Sequence, residues 1–584
     1  SEIPTLVSLD GVSLPGSPAF YAYANADRSF EILDNVIWSH ARHQVTAGAG
    51  ALFRASSGFL TAGENGEYEF SNVILFALDE PAFFSAAVDR NALPNLQIPD
   101  SNRTWHYEQY FGFVQDSFKL TPRLNLNYGV RYELFGAPSN TGAVKDDIVQ
   151  LGSGATLPQR LTTATLAPDS QIFKTDTNDW SVRSGAAYAL ASRTLLRGGF
   201  GIYDSRPFDN LWENVRNNNF LLPLATLGGA TNFLEPVATE MQKAFANLPP
   251  TSFPDLTLIN PSLPNGRVSS YFAGVQQRFS DHLTLETNAL GSYGRDLITT
   301  DIVNRDFSTP QGRYNAALPD IAYRAAQGFS DYNAFAVVLR YRSTRGMAQA
   351  TYTWSHSIDN QSEPLLGDFF NLNFTSIQTG SGSIGRAAFS EQFNPLADCG
   401  DSDFDQRQNL VVFGYWNLPR GFVGSALAAF RSGFPYTVIG ASTVVPGGGE
   451  ILNNRPNLIG APVLPQPVAV AGGVELLNPA AFANAAPSTL GNLGRNSLIG
   501  PGFYNLDISL ARAFPLRELG RLTVRAEAFN ILNHANLNNP QTTLADPDFG
   551  VAAYGRIGFP SGFPAVAPLN ETPRQLQLSI KVEF

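Results

Sequence analysis

Residues 574–584 read RQLQLSIKVEF, and this stretch alternates polar and apolar side chains without a break. Leu576, Leu578, Ile580, Val582 and Phe584 fall on one side of a strand with a two-residue period, and only polar residues fall on the other. Such a strand suits a sheet with lipid on one face and water or polar groups on the other. Strands of soluble sandwiches can show the same alternation, so the pattern must be followed along the chain.

The pattern recurs in pairs of strands joined by short turns. The clearest upstream example is 124–133, where Leu124, Leu126, Tyr128, Val130 and Tyr132 alternate with polar residues or glycine. About 17 strands are predicted in this way. They are 29–38, 43–54, 67–74, 83–88, 105–119, 124–133, 180–190, 194–203, 268–279, 283–293, 332–342, 347–356, 409–417, 422–430, 504–514, 522–531 and 575–584.

Long segments rich in Asn, Gly, Pro and Ser separate most of these pairs. They are 137–177, 206–265, 296–330, 357–407, 434–500 and 537–572. Short turns at one rim and long loops at the other are typical of a transmembrane barrel, with the turns periplasmic and the loops extracellular. The sequence therefore predicts an all-β, antiparallel β-barrel in the cell outer membrane.

The composition agrees with a barrel and excludes other classes of protein. The 584 residues include 42 Phe and 20 Tyr, only 15% are charged, and no apolar run reaches the length of about 20 that a membrane helix needs. The net charge of -11 argues against nucleic acid as a partner. The single Cys399 cannot form an internal disulfide. The six histidines are scattered and no catalytic grouping is visible, so neither an enzyme nor a cofactor is predicted.

Several motifs, in this order, resemble one known family. They are YFGFVQDSFKLTPRLNLNYGVRYE at 110–133, RGGFGIY at 197–203, YTWSHSID at 352–359, DFDQR at 403–407 and FNILNH at 529–534. Together they resemble the barrel region of Oar-like TonB-dependent outer-membrane receptors. The resemblance covers nearly all of residues 29–584.

The resemblance implies a barrel of about 22 strands, a plug inside it and energy supplied by TonB. Compared with that pattern, residues 1–584 are expected to lack the plug, the TonB box and the amino-terminal domain. Residues 1–28 are then expected to be an extracellular loop segment and 29–584 the carboxyl-terminal barrel portion. The implied partners are outer-membrane lipid and lipopolysaccharide, the barrel-assembly machinery, the TonB system through the missing region, and an amino-terminal barrel fragment if it is a separate chain.

Three functions follow from the resemblance and the barrel pattern. The first is import of a scarce ligand such as a metal chelate, a glycan or a peptide. The second is a surface, adhesion, export or scaffold role in an outer-membrane complex. The third is a passive porin, which would need a closed barrel with an open lumen.

Candidate sites are few. Asp398, Asp401, Asp403 and Asp405 could supply oxygen ligands for Ca²⁺, or could be a turn whose charges are balanced by Arg386 and Arg407. The loop aromatics could hold a sugar or peptide, or could pack loops together; they are Trp212, Phe220, Phe369, Phe370 and Phe374. Phe584 resembles the assembly signal of other outer-membrane barrels.

Two sets of strand residues are also expected to have defined places. Aromatic residues near strand ends are expected at the lipid interface, namely Trp105, Tyr107, Tyr132, Tyr203, Tyr293 and Trp354. Inward arginines are expected to pair with inward glutamates across the wall of the lumen. The arginines are Arg131, Arg197, Arg340 and Arg525, and the glutamates are Glu133, Glu286 and Glu527.

Overall fold

The protein is described by a computed structural model. It covers residues 4–15, 21–228, 235–246, 256–306, 308–309, 312–364, 389–440, 443–444, 450–451, 454–486, 489–516, 520–555 and 573–584. One sheet of 18 strands dominates these residues, which confirms the all-β prediction.

Among the described residues, fifteen long strands of this sheet follow one another in chain order, each antiparallel to the next. They are β1 Tyr21–His40, β2 His43–Ala62, β3 Asn102–Thr121, β4 Leu124–Phe135, β5 Asp179–Ala191, β6 Thr194–Ser205, β7 Gly266–Arg278, β8 Leu283–Val303, β9 Ile321–Ser343, β10 Gly346–Asp359, β11 Gln408–Asn417, β12 Phe422–Arg431, β13 Phe503–Pro515, β14 Arg521–Phe529 and β15 Gln575–Glu583. The other three strands of the sheet are short, at Ser139–Asn140, Leu256–Ile259 and Gly400–Asp401.

The connections alternate in length as the sequence predicts. Two residues join β1 to β2, namely Ala41 and Arg42, and Pro122 and Arg123 join β3 to β4. The segments between β2 and β3, β4 and β5, β6 and β7, β10 and β11, β12 and β13, and β14 and β15 are long. The sheet therefore has a short-turn end and a long-loop end, which are the periplasmic and extracellular ends in barrels of this kind.

The register keeps one face of the sheet predominantly apolar, with charged exceptions that include Asp34, Asp116 and Arg512. Val130 lies opposite Val114 on one side and Val182 on the other. Ile508 lies opposite Ala426 and Ala528, and Leu578 lies opposite Ala526. Many side chains of this face are exposed, with Leu576, Leu578 and Ile580 more than 70% accessible. A continuous exposed apolar band is what lipid contact requires.

Two predicted passes do not belong to this sheet. Glu67–Phe70 and Phe83–Ser85 form a separate four-stranded sheet with Thr5–Ser8 and Leu224–Thr226. The prediction of strands at 67–74 and 83–88 in the barrel was therefore wrong. The physical reason is local: Asn72 caps a helix at Val73–Ala77 by accepting from the backbone N–H groups of Ile74 and Leu75.

This smaller sheet has a core of its own at the long-loop end. Tyr68, Phe70 and Phe84 are fully buried there, and Met241 and Phe245 cover them from the helix Val237–Ala244. Residues from before β1, from the β2–β3 loop and from the β6–β7 loop thus pack together. The long loops form a folded layer because they share an apolar core.

The remaining elements are short and lie in the long loops or at turns. Paired strands are Val88–Asp89 with Phe220–Leu221, Asp146–Gln150 with Thr165–Asp169, Pro435–Tyr436 with Leu498–Ile499, Thr443–Val444 with Glu450–Ile451, Asn457–Leu458 with Phe482–Ala483, and Val463–Val470 with Gly473–Leu477 and Val551–Ala553. Further helices are Leu157–Leu161 and Asp209–Glu213, with 3-10 turns at Arg90–Ala92, Asn214–Asn219, Pro395–Asp398, Pro419–Gly421 and Pro479–Ala481. Among the described residues, no helix has the length and apolar character needed to cross a membrane.

The two outermost long strands are β1 and β15. Among the described residues, no hydrogen-bonded pairing joins them. Residues 24–40 of β1 are exposed along their whole length, and β15 is exposed at all but one position. Within the described residues, β1 and β15 are therefore the two edges of the sheet, and the other thirteen long strands lie between them.

Candidate functional site: the inner wall and the loop layer

The face opposite the apolar band is polar, and its charges are organised as ion pairs. Arg131 donates to Glu133 at 2.9 Å, and Arg197 donates to Glu286 at 2.5 Å. Arg525 lies 3.5 Å from Glu527. Alternation along the strands predicted that inward arginines pair with inward glutamates, and this is confirmed for Arg131, Arg197 and Arg525 but was wrong for Arg340, whose hydrogen bond goes to Gln349. The confirmed pairs satisfy charged groups on the wall of the lumen.

Aromatic rings also lie on this inner wall, over glycines of the neighbouring strand. Phe111 and Phe113 on β3 lie against Gly50 and Gly48 on β2. A Cβ atom at Gly50 would lie 2.5 Å from the Phe111 ring, so only glycine allows this approach. The Arg131 guanidinium then stacks over Phe111 at 4.1 Å from the ring centroid.

A cavity of about 690 Å³ opens on this wall between β2 and β7. Its lining includes glycines on β4, β5 and β6, namely Gly129, Gly185, Gly199 and Gly201. The Phe272 ring lies over Gly199 and the Tyr203 ring lies over Gly201, where a Cβ atom would come within 3 Å of each ring. Phe113, Arg131, Arg183, Tyr203 and Phe272 line its sides. The cavity therefore combines aromatic surface with two cations.

Arg183 differs from the paired arginines of the wall. Its guanidinium lies 4.5 Å from the centroid of the Tyr203 ring. Within the described ranges, no carboxylate forms an ion pair with it. Arg183 is also exposed, so its donors remain available to a ligand. A planar guanidinium beside an aromatic ring suits an anionic or aromatic ligand group.

Two other inner arginines also lack a carboxylate partner in the part of the chain that the structure describes. Arg340 donates to the side-chain oxygen of Gln349 at 3.0 Å. Arg431 lies 5.6 Å from the centroid of the Phe503 ring, and its Nε is buried without a hydrogen-bond acceptor. Together with Arg183 they leave positive charge on the inner wall that the protein does not balance by direct pairing.

The loop layer closes over one side of the long-loop end. Trp212 packs edge-on against Trp105 at 5.0 Å between ring centroids and against Tyr107 at 6.4 Å. Arg54 and Arg206 stack on the Tyr107 ring, at 4.6 and 5.2 Å from its centroid. The segment 206–219 is held to the top of β3 by this cluster.

The positions of these aromatics change several expectations. Trp212 and Phe220 are each 2% exposed, so neither offers its ring to a ligand. Trp105 and Tyr107 are buried in the loop cluster, and Tyr203 faces the inner wall, so the expectation of a lipid-interface position was wrong for these three. Tyr132, Tyr293 and Trp354 do lie on the apolar face, where Tyr132 packs against the exposed Trp180 at 4.7 Å. Phe369, Phe370 and Phe374 lie outside the described residues.

The four candidate calcium ligands each contact an arginine. Asp401 and Asp405 both pair with Arg407, at 3.0 and 2.6 Å. Asp403 pairs with Arg495 at 3.2 Å, and Asp398 pairs with Arg455. Arg386 lies outside the described residues. Burial raises the pKa of Asp405, and the hydrogen bond from Arg407 opposes that rise.

One carboxylate pair of this cluster comes close to a histidine. His356, Asp401 and Asp405 bring one ligand atom each within 4.8 Å of one another. The Arg407 Nη2 atom lies among them, 2.6 Å from the His356 Nε2. A guanidinium thus supplies the positive charge at this point, and the geometry supports a structural junction between β10 and β11.

Sequence reasoning missed Arg183 and Tyr203 as neighbours in a cavity. The sequence held a signal for this. Arg183 and Tyr203 lie on neighbouring strands at positions that face the inner wall, and glycines occupy the next inward positions. What the sequence could not show is which inner arginines would find a glutamate across the wall, because that depends on register between strands.

A model described as "Outer membrane beta barrel domain" matches residues 2–577. The chain belongs to this family. Its place is therefore the cell outer membrane.

One solved structure supports the fold, and a second overlaps the chain over a similar range. The outer membrane transporter YddB from Escherichia coli has a TM-score of 0.52 with 10% identity, over 100% of this chain and 58% of that one. The ferripyoverdine receptor of Pseudomonas aeruginosa has a TM-score of 0.46 with 10% identity, over 97% of this chain and 49% of that one. The chain thus spans about half to three-fifths of the length of these proteins. None of the curated proteins matches the sequence with significance.

Proposed function

We propose that this chain is the barrel portion of a TonB-dependent transporter that imports a scarce ligand across the outer membrane. The ligand class is a metal chelate, a glycan or a peptide. The observation that carries the proposal is the inner-wall cavity, which presents Arg183 without an ion pair beside Tyr203. Selective binding sites combine aromatic surface with a few placed polar groups, and this cavity has both. The fold that the chain shares with the outer membrane transporter YddB supports the same direction.

The charge of the wall refines the ligand class. The inner arginines without direct carboxylate partners favour ligands that carry carboxylate, phosphate or similar anionic groups. Anionic metal chelates and acidic glycans have such groups. Neutral peptides would form no ion pairs with these arginines and would therefore bind the wall less strongly.

The test uses the full-length protein that contains this chain, expressed in cells with and without TonB. Cells are grown on panels of iron chelates, acidic and neutral glycans, and peptides as the scarce nutrient. We expect growth on an anionic compound that depends on both TonB and the protein, and that falls in the Arg183→Gln variant. Arg574→Gln is the matched control, because Arg574 is exposed at the long-loop end outside the cavity.

Two results would contradict the proposal. The first is permeation of small sugars into proteoliposomes without TonB, which would identify a passive porin. The second is growth that is independent of the protein on every compound while cell-surface attachment depends on it. That outcome would favour the surface or scaffold role instead.

A further inference from the structure

A basic residue, arginine at four places and histidine at one, comes immediately before each of five successive strands that rise from the short-turn end. These residues are Arg42 before β2, Arg123 before β4, Arg193 before β6, His282 before β8 and Arg345 before β10. All five are exposed. The next turn carries Arg420, one residue further from its strand, and it is exposed as well. Turns of unrelated sequence would not be expected to place a basic residue at this same position five times in a row.

The backbone holds these five residues in one repeated geometry. The carbonyl of each accepts a hydrogen bond from a backbone N–H at the foot of the following hairpin. Lys119 donates to Arg42, Ala189 to Arg123, Arg278 to Arg193, Arg342 to His282 and Asn417 to Arg345, at 2.6 to 2.8 Å. The five side chains therefore start from equivalent backbone positions, which repeat once per hairpin along the rim.

Aromatic residues mark the membrane interface next to this rim. Trp38 stacks with His40 at 5.4 Å, and His43 stacks with Phe118 at 4.1 Å. Further along the rim, Tyr341 stacks with Trp416 at 6.0 Å. Aromatic belts sit at the level of the lipid headgroups. The arginines, which lie beyond the belt at the turns, are thus placed at or just outside the phosphate level.

Acidic residues do little to neutralise this rim. Asp281 lies 3.8 Å from Arg193 but is 79% exposed, so the pairing is weak. Glu583 pairs with Lys581 at 2.7 Å. The chain as a whole carries a net charge of -11. The six short turns between β1 and β12 carry five arginines and one carboxylate, Asp281, against the overall balance of the protein.

Part of each side chain remains free for a partner. Arg42 donates one Nη1 hydrogen bond to the Leu120 carbonyl, and Arg193 donates one to the Phe279 carbonyl. Each guanidinium has five N–H donors, so most are left. The guanidinium groups of Arg123 and Arg345 form no hydrogen bond or ion pair with the protein in the part that the structure describes.

We propose that this rim, defined as Arg42, Arg123, Arg193, His282, Arg345 and Arg420, binds the phosphate groups of anionic phospholipids in the leaflet that surrounds the short turns. Guanidinium groups match phosphate oxygens in a bidentate geometry. A lipid leaflet fits better than a protein partner because the cations are repeated hairpin by hairpin along the rim. A protein would more naturally contact one sector.

The experiment compares lipid binding by the full-length protein in neutral detergent. Delipidated protein is titrated with phosphatidylglycerol or phosphatidylcholine in mixed micelles, and bound lipid is counted by native mass spectrometry. Basic residues near an anionic surface each contribute about fivefold to binding. We expect a preference for phosphatidylglycerol that falls about tenfold or more in Arg42→Gln/Arg123→Gln/Arg193→Gln/Arg345→Gln, and that weakens as salt is raised.

Two control variants and one replacement variant accompany this experiment. The four-lysine version of the same variant should retain part of the preference, because it keeps the charge. Arg28→Gln/Arg574→Gln, with both residues exposed towards the long-loop end, should retain all of it. If the fourfold glutamine variant does not fold, Arg123→Gln/Arg345→Gln replaces it, since these two guanidinium groups form no hydrogen bond or ion pair within the described residues.

Several outcomes would overturn the proposal. Equal binding of the two lipids would do so, and so would an unchanged preference in the glutamine variants. Equal competition by inorganic phosphate at the same concentration would indicate a site for free anions only. Crosslinking of the rim to an acidic periplasmic protein, with no effect of phosphatidylglycerol, would assign the surface to a protein partner instead.

Discussion

Replacing Ile508 by arginine tests whether the apolar face of the sheet lies in lipid. Ile508 lies on β13 between the face-sharing aromatics Tyr504 and Phe514, which are 38% and 36% exposed. At about 3.4 Å per residue and a strand tilt of about 40°, Ile508 lies roughly 10 Å from the first and 16 Å from the second along the membrane normal. In an apolar band about 25 Å tall, this places Ile508 near the midplane.

The expected cost follows from that depth. An arginine at the midplane of the lipid-facing surface costs about 2–4 kcal/mol of unfolding free energy, because its charge must be desolvated. Ile508 lies opposite Ala426 and Ala528, and these small side chains offer no hydrogen-bond acceptor. The penalty for Ile508→Arg is therefore expected in the upper part of this range.

The adjacent residue provides a matched control. Ser509 points to the inner wall and lies opposite Glu527, so Ser509→Arg gains a carboxylate partner and should change stability by less than about 1 kcal/mol. Both variants are measured by denaturant unfolding of the full-length protein in lipid vesicles, followed by tryptophan fluorescence. Equal costs for the two variants would refute the assignment of faces, and the sheet would then resemble that of a soluble sandwich.

Three further expectations concern the loop layer and the chain end. Trp212→Ala should cost the loop layer about 3–5 kcal/mol, seen as faster proteolysis at 206–219, while the exposed Trp180→Ala should leave that cleavage unchanged. Burial and neighbouring Glu69 raise the pKa of Glu67 to about 7, so the small sheet should lose stability as the pH rises from about 4.5 to 7. Thermal unfolding across this pH range should show the loss, and Glu67→Gln should remove it. Deleting Phe584 should lower the yield in the outer membrane while leaving refolding into detergent intact; an unchanged yield in cells would count against an assembly signal.

The strand pattern was readable from sequence because lipid and lumen impose a strict two-residue period. Leu124, Leu126 and Val130 alternate with polar residues for this reason, and the short turns between paired strands are found where the sequence predicts them. The pattern failed where a short alternating run lay in a loop. Glu67–Phe70 has the same alternation, but its apolar residues bury against the loop core instead of lipid.

The candidate sites depended on contacts between distant parts of the chain, which sequence alone does not specify. Trp212 meets Trp105 across more than a hundred residues, and Asp403 meets Arg495 across 92. Parity along one strand can identify an inward arginine, as with Arg131 and Arg197. It cannot show whether a carboxylate will face that arginine, and for this reason Arg183 was overlooked.

The two ends of the sheet are held together by different kinds of contact, and each kind suits a different kind of partner. At the long-loop end, ion pairs such as Asp403–Arg495 and rings such as Trp212 join segments that are far apart in sequence. A change in one loop therefore disturbs its partners, which suits a surface that must recognise one ligand. At the short-turn end, five successive turns make the same backbone hydrogen bond to the next hairpin, and their side chains make few contacts with one another. A rim built by repetition suits a partner that is itself repeated, and the lipid leaflet is the partner of that kind nearest to it.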